Sequence, residues 1–332
     1  MTDLSQGRIL VTGGAGFIGS ALIWELNRRG FTNILVCDLL REDEKWKNLV
    51  PLKFADYVEG DELERRVREN PAHLKDIKSV FHLGACSSTT ETNASYLIRN
   101  NFEFTKLLAH FALDGSRRFV YASSAATYGA LETGVSESRP LESLRPLNMY
   151  GYSKHLFDCH AQRAGFLDQM TGLKYFNVYG PNEDHKGNMR SVVNKAFREI
   201  QQSGRMSLFK SYKPDYPDGG QKRDFLYVKD AVAVTVDLAQ RTDGGGLFNI
   251  GSGEPKTWLT LAQAIFAALG REPAIDFIQM PEALRSKYQY FTCADLTKLR
   301  AAGHTTQFMP LRDAVQDYVR NYLVLDRKLG DE

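Results

Sequence analysis

The sequence is poor in the features that mark special environments. It holds four cysteines in 332 residues, Cys37, Cys86, Cys159 and Cys293, widely spaced and never paired as CxxC. That excludes a disulfide framework or a cysteine-based zinc site and fits reduced thiols in a cytoplasmic protein. No apolar stretch approaches the roughly 20 residues that a membrane helix needs. The opening MTDLSQGRILVTGG lacks the basic-then-apolar pattern of a signal peptide. Neither sign of charge dominates, since 42 basic and 40 acidic residues leave a net +2. With no basic stripe there is no electrostatic footprint for nucleic acid. Lys154, Lys186, Lys222 and Arg223 remain as a possible local positive pocket for a phosphorylated ligand. Internal repeats, low-complexity tracts and metal-ligand clusters are also missing. The expectation is a cytoplasmic, soluble, metal-free chain that meets neither membrane nor nucleic acid.

What is present is ordinary globular composition, 43% hydrophobic and 25% charged, at a length suited to one large or two joined domains. The first half alternates short apolar runs with amphipathic ones. Strands are predicted at Arg8–Thr12, Asn33–Cys37, Leu52–Tyr57, Ser79–Leu83 and Arg117–Ala122, and helices at Phe17–Arg29, Asn93–Leu113 and Tyr150–Ala164. This alternation predicts an α/β fold, a doubly wound Rossmann-type parallel sheet covered on both faces. The second half is less regular. Strands are predicted at Leu173–Val178, Asp224–Val228 and Leu247–Ile250, and helices at Met189–Gln202, Asp230–Arg241, Thr260–Leu269 and Leu311–Leu325. Ser211–Gln221 is a Pro/Gly/Asp-rich loop.

The sharpest local signal is Thr12-Gly13-Gly14-Ala15-Gly16-Phe17-Ile18-Gly19, directly after a strand and opening a helix. Gly13 suits a turn conformation that a side chain forbids. Gly16 lets the backbone approach a pyrophosphate at the helix N-terminus, and Gly19 permits close packing of helix on strand. Inside a βαβ unit, this pattern points to a dinucleotide. Asp38, about twenty residues on, stands where a carboxylate takes the adenine ribose hydroxyls and favours NAD. Arg41, Lys45 and Lys47 are equally able to neutralise a 2′-phosphate, so these residues leave NAD and NADP both open.

Tyr150-Gly151-Tyr152-Ser153-Lys154 puts Tyr150 and Lys154 on one helix face. An ammonium beside a phenol favours the phenolate and lowers its pKa toward that of a useful base. Ser124, at the end of the preceding strand, offers a hydroxyl to the same substrate oxygen. His82 and His185 read as structural, Cys86 as a small buried residue rather than a nucleophile, and Tyr288 as either core or ligand contact.

Taken in order, TGGAGFIG, Asp38, Asp56, HLGA (82–85), YASSAATYG (121–129), YGYSK, YFNVYGP (175–181), KRDFLYVKD (222–230) and FNIGSG (248–253) resemble the extended short-chain dehydrogenase/reductase family of nucleotide-sugar enzymes over nearly the whole chain. Within it, GACSSTTE (84–91), RPLNMYGYSK, YFNVYGPNEDHKGNM (175–189) and SKYQYFTCADLTKLRAAG (286–303) are more similar to the branch acting at C6 of ADP-linked heptoses than to the UDP-galactose epimerases. The Ala125-Ala126 pair after Ser124 argues against the dehydratases, which need Asp-Glu there.

The resemblance implies a nucleotide-sugar epimerase that uses NADP, with NAD possible, supplies the lipopolysaccharide core and assembles as a homo-oligomer, a pentamer. It implies a dinucleotide-binding domain of residues 1–172 plus about 224–252. A smaller, mixed substrate domain would take about 173–223 plus 253–332. Tyr150 is implied as base, Lys154 as the cofactor-holding lysine, Lys186 as second acid/base and Ser124 as the substrate-binding hydroxyl. Cofactor contacts are implied for Phe17, Ile18, Asp38, Leu39, Lys45, the loop Leu83, Gly84, Ala85, Cys86 and Ser87, Asn100, Lys154, Val178 and Lys186, beside the glycines. Substrate contacts are implied for Asn177, Asn188, Lys195, Phe209, Lys210, Ser211, Tyr212, Arg223 and Tyr288. Leu39, Asn188 and Lys195 depart from the family's asparagine, serine and histidine, and the loop before Arg223 is longer.

Overall fold

The computed structural model describes residues 3–241, 245–285, 288–305 and 307–331. Met1 and Thr2, and Ser286 and Lys287 at the head of the 286–303 segment, lie outside these. Twelve strands occur among the described residues: β1 Arg8–Thr12, β2 Ile34–Asp38, β3 Asp56–Glu59, β4 Ile77–His82, β5 Arg118–Ser124, β6 Thr171–Tyr175, β7 Asn177–Tyr179, β8 Met206–Phe209, β9 Lys222–Tyr227, β10 Gly246–Ile250, β11 Pro255–Thr257 and β12 Ile275–Ile278. The longer helices are α1 Phe17–Arg28, α2 Gly60–Glu69, α3 Phe104–Asp114, α4 Met149–Arg163, α5 Val192–Ser203, α6 Val228–Ala239 and α7 Trp258–Ala268.

Seven strands form one sheet in the order β3-β2-β1-β4-β5-β6-β10, with every neighbouring pair parallel. Successive side chains of a strand face opposite sides. Accordingly Ile9, Val11, Ile34 and Val36 enter one core with α1, α6 and α7, while Leu10, Leu35 and Cys37 enter the other with α2, α3 and α4. Two covered faces explain why these strands read as continuous apolar runs. Strand order reverses between β1 and β4, so their carboxyl ends open a crevice at a topological switch point. Beside this sheet lie a three-stranded one, β11-β9-β7, and a parallel pair, β12-β8. The α/β, doubly wound parallel sheet with smaller additional sheets is the architecture expected from the sequence. Among the described residues no helix is long and apolar enough to cross a membrane, and no group of three His, Cys, Asp or Glu is placed to hold a metal.

Several local expectations need correction. The strand expected at Leu52–Tyr57 is Asp56–Glu59. It is an edge strand paired only with β2, and Val58 is its one buried residue. The apolar signal came from Leu52 and Phe54, which pack on the core from the preceding loop. Leu173–Val178 is two strands in different sheets, divided at Phe176, whose N–H goes to the Ile250 carbonyl. Asn93–Leu113 is broken by a π-helical stretch at Ile98–Glu103. The final helix is α-helical only over Leu311–Tyr318.

One polar cluster lies wholly inside. Lys174 Nζ of β6 meets Asp158 Oδ2 of α4 at 2.9 Å, and both side chains have zero exposure. The same carboxylate accepts the Tyr121 hydroxyl at 2.9 Å and the Ser123 hydroxyl at 2.7 Å, and Lys174 also reaches Thr127 Oγ1 at 2.7 Å. A buried ion pair is tolerable only when its remaining hydrogen-bonding capacity is filled, and breaking one partner costs about 3–5 kcal/mol. Lys174→Met should therefore lower the urea midpoint of unfolding by an amount in that range. Adding Asp158→Asn, which removes the stranded charge, keeps an amide oxygen to accept from one of the two hydroxyls and offers its NH2 to the oxygen of the other, should restore part of it.

Candidate active site

The glycine loop after β1 is shaped by contacts that leave no room for side chains. A Cβ on Gly19 would lie 2.0 Å from the Gly13 carbonyl oxygen, and one on Gly13, at φ +69°, would lie 2.6 Å from the Gly84 nitrogen. The loop after β4 is thus pressed against the loop after β1. Gly16 caps α1 without a side-chain hydrogen bond, so the first helical N–H groups face the crevice. Asp38, at the end of β2, accepts the Ala15 N–H at 2.9 Å and the Leu39 N–H at 2.7 Å, and pairs with Lys45 Nζ at 2.8 Å. A cradle that any Cβ would fill, together with an uncapped helix N-terminus, fits a dinucleotide.

On the other wall, Asn148 caps α4 by accepting the Gly151 N–H at 2.8 Å, which sets Tyr150 in the first turn. Gly151 is required there, because a Cβ would come within 2.7 Å of the Ala126 carbonyl oxygen in the turn that follows Ser124. This approach brings Tyr150 and Lys154 to the end of β5. A cavity of about 490 Å³ collects Gly13, Gly16, Phe17, Ile18, Gly19, Asp38, Lys45, Leu83, Gly84, Ala85, Cys86, Ser87, Ser124, Tyr150, Lys154, Val178 and Lys186. A neighbouring one of about 250 Å³ shares Gly13, Asp38 and Lys45 and adds Leu39, Arg41 and Asn100. Every residue expected at the cofactor is therefore on these two walls.

The electrostatics differ from expectation at one point. Burial raises the Tyr150 phenol above its usual range, and the facing Ser124 hydroxyl offsets only part of this. Desolvation of the phenolate outweighs the help expected from the neighbouring amine. Lys154 moves the other way: burial lowers its pKa to about 8, against the pull of Asp158. Burial also lowers Lys186, with Glu183 opposing. The Lys186 ammonium stands 5.2 Å from the centre of the Phe17 ring. His82 is a structural group, as expected. Its ring bridges Thr12 Oγ1 at 2.7 Å and Thr105 Oγ1 at 2.8 Å, and burial holds it neutral with a pKa of about 3.

The residues expected at the substrate do not all converge. Phe209, Arg223 and Tyr288 form one cluster, with the Arg223 guanidinium 5.2 Å from the Tyr288 ring and Phe209 6.3 Å from it. Tyr212 joins through its N–H to the Tyr290 hydroxyl at 2.9 Å, with Lys210 and Ser211 leading into it. Asn177 instead ties strands, donating to the Asp224 carbonyl and Thr292 Oγ1. Asn188 and Lys195 are exposed and outside the cavity. The expected positive pocket is also divided: Lys154 and Lys186 share the cavity, while Arg223 sits in the aromatic cluster and Lys222 is exposed.

His185, read from the sequence as structural, lines the cavity. Some residues at the site gave no sequence signal of their own: Met189, Phe176 and Ser88 also line it. Asn101, fully buried, bonds both the N–H and the carbonyl of Cys86 at 2.9 Å and donates to Ser153 Oγ at 3.0 Å, locking the 83–87 loop to α4. Only the polar pair Asn100-Asn101 within an apolar helical pattern hinted at it.

The depressed Lys154 pKa has a consequence for stability. In the unfolded chain the amine keeps its proton to about pH 10.4; in the fold it loses it near pH 8. Between these values the unfolded state binds more protons, so the penalty of burying the charge is full below pH 8 and fades as pH rises. From pH 8 to 9.5 the parent should gain about 1–2 kcal/mol of unfolding free energy relative to Lys154→Met, read by urea titration at each pH.

Comparison with known proteins agrees with this geometry. Residues 9–251 match the NAD dependent epimerase/dehydratase family. The chain is 51% identical over 315 residues to the ADP-L-glycero-D-manno-heptose-6-epimerase of Nitratidesulfovibrio vulgaris (strain DP4), covering 95% of this chain and 97% of that one. It is 43% identical over 327 residues to the protein of that name from Fusobacterium nucleatum, covering 95% and 98%. The crystal structure of the Helicobacter pylori ADP-L-glycero-D-manno-heptose-6-epimerase shares the fold, with a TM-score of 0.80 at 24% identity over 97% of this chain and 98% of that one. A glycine cradle, a Tyr-Lys pair facing a strand-end serine, and a family match over most of the chain have one meaning: this protein belongs to the NAD dependent epimerase/dehydratase family, of the extended short-chain dehydrogenase type.

Proposed function

We propose that the protein is an epimerase that inverts C6 of the heptose in an ADP-linked heptose by transient oxidation to a 6-keto sugar. The observation that carries this reading is the meeting of Tyr150, Lys154, Ser124 and Lys186 in one cavity with the glycine cradle. The relatives' names supply the substrate class. A C–H beside a hydroxyl is too weak an acid to exchange directly, which is why a redox detour is needed. A bound nicotinamide would supply the hydride acceptor and donor and, when oxidised, a positive charge that favours the phenolate. Tyr150 takes the C6 hydroxyl proton while Ser124 holds the same oxygen, and Lys154 would hold the cofactor. Lys186, its pKa lowered by burial, serves as acid/base when the sugar presents its other face.

Residues 1–172 with about 224–252 would hold the dinucleotide, and 173–223 with 253–332 the nucleotide sugar. The cluster Phe209, Tyr212, Arg223 and Tyr288 would anchor the ADP half, with its aromatic faces and guanidinium, and leave the sugar tip free to turn. NADP is the favoured cofactor. A bare carboxylate would repel a 2′-phosphate, but Asp38 is already neutralised by Lys45 at 2.8 Å, and Arg41 lies on the same rim. Native mass spectrometry should accordingly read an NADP mass on each subunit of a homo-oligomer; retained NAD would overturn the cofactor assignment.

Incubated with ADP-heptose, the protein should interconvert the C6 epimers and leave UDP-galactose untouched. Turnover of the UDP sugar alone would make it a 4-epimerase. Tyr150→Phe should lower epimerisation about 10²–10⁴-fold while cofactor stays bound. An unchanged rate in that variant would reduce the protein to a cofactor-binding scaffold.

A further inference from the structure

The turn that carries Lys186, Asp184–Met189, is poorly supported at its far end. Gly187 lies at φ +53°, with nothing within 4 Å of where its Cβ would be, and Asn188 is exposed. Beyond Arg190 Nε on the Gly187 carbonyl at 2.7 Å and Asn48 on the His185 ring at 3.4 Å, its anchors lie on the N-terminal side, at Asn182, Glu183 and Asp184. Asn182 is fully buried at φ +76°, a left-handed conformation that asparagine tolerates better than other side chains. Its Nδ2 donates to Ser20 Oγ of α1 at 3.0 Å, and its carbonyl accepts Asn48 Nδ2 at 3.1 Å. That same Asn48 amide reaches the Ala15 carbonyl of the glycine loop at 2.9 Å. The turn is thereby tied to the dinucleotide cradle.

Asp184 Oδ1 accepts Asn194 Nδ2 at 3.0 Å and Arg198 Nη2 at 3.1 Å from α5, and two further anchors come from a segment nearly 150 residues away in sequence. The Leu329 N–H donates to Asn182 Oδ1 at 3.0 Å, and the Leu329 side chain has zero exposure. Lys328 Nζ reaches Asp184 Oδ2 at 2.6 Å. Between these two clamps Glu183, almost fully buried, accepts the Ser191 N–H and hydroxyl and the Tyr318 hydroxyl, and its carbonyl takes the Lys186 N–H at 3.0 Å.

We propose that Lys328 and Leu329 are positioning residues for Lys186: by clamping Asp184 and Asn182 on either side of Glu183, they fix the turn that presents the lysine to the cavity. None of them touches the cavity itself. The inference rests on the reading of Lys186 as second acid/base. Its physical basis is that a misplacement of about 1 Å at a reacting group can cost about 10²-fold in rate.

The test compares Lys328→Met, Lys328→Arg, Lys186→Met and the double variant Lys328→Met/Lys186→Met in the full-length protein, with cofactor bound. The Lys328 side chain is 15% exposed and belongs to neither hydrophobic core, and Asp184 keeps Asn194 and Arg198 as partners when it is exchanged. Three readouts are taken: epimerisation of ADP-heptose, reduction of the bound cofactor by one epimer through the Tyr150 route, and retention of cofactor. Lys328→Met should lower epimerisation at least about tenfold, with cofactor retention and reduction unchanged, and Lys328→Arg should recover most of the loss. The double variant should be no slower than Lys186→Met alone, because both changes act through one group. Wild-type epimerisation by Lys328→Met while Lys186→Met is impaired would overturn the proposal. So would equal losses in epimerisation and cofactor reduction, or losses that multiply in the double variant. Full activity of Lys186→Met would instead bring down the role of Lys186 itself, and this inference with it.

Discussion

The site depends on how α4 is fastened to the sheet. Tyr150 and Lys154 lie in its first two turns, yet the bonds that fix the helix lie deeper, where Asp158 meets Lys174, Tyr121 and Ser123. With the carboxylate bonded to two strands, the helix can neither slide nor roll without stranding a charge in the core. Ser123 precedes Ser124, so the anchor that holds the helix also fixes the strand end facing Tyr150. Gly151 completes the arrangement by letting the helix start close to the Ala126 carbonyl.

Burial then sets the chemistry of the groups so placed. It raises the phenol of Tyr150 and lowers the amines of Lys154 and Lys186. Each shift disfavours the charged form of its group. Under the proposed function, the positive charge of an oxidised nicotinamide would act against that preference at Tyr150. The glycine cradle acts in the same direction: Gly13, Gly19 and Gly84 are packed so closely that the place for a dinucleotide is built into the backbone before any ligand arrives.

Much of this was legible in the sequence where local pattern and global fold agree. β1, α1 and β2 stand almost where the apolar runs and glycines put them, because buried parallel strands and a helix opening on Gly16 leave local signals. Tyr150 and Lys154 were legible for the same reason: an i, i+4 pair on a capped helix is a short-range relation. The illegible parts are those that tertiary contacts decide. Val58 alone marks β3, while the apolar residues before it pack from a loop. Asn177 and Lys195 carry polar groups suited to a ligand, but one joins strands and the other faces outward. Asn48, Asn101 and Asn182 hold loops distant in sequence together, and a single asparagine has no pattern that reveals such a partner.

The central claim is that the hydrogen on C6 leaves and returns to the same carbon without visiting water. The direct measurement is epimerisation of ADP-heptose carrying deuterium at C6, run in ordinary water and read by mass spectrometry of the product. The expected result is inverted product with the deuterium still on C6. Loss of the label to solvent at the rate of epimerisation would contradict transient oxidation and require a different chemistry at this site.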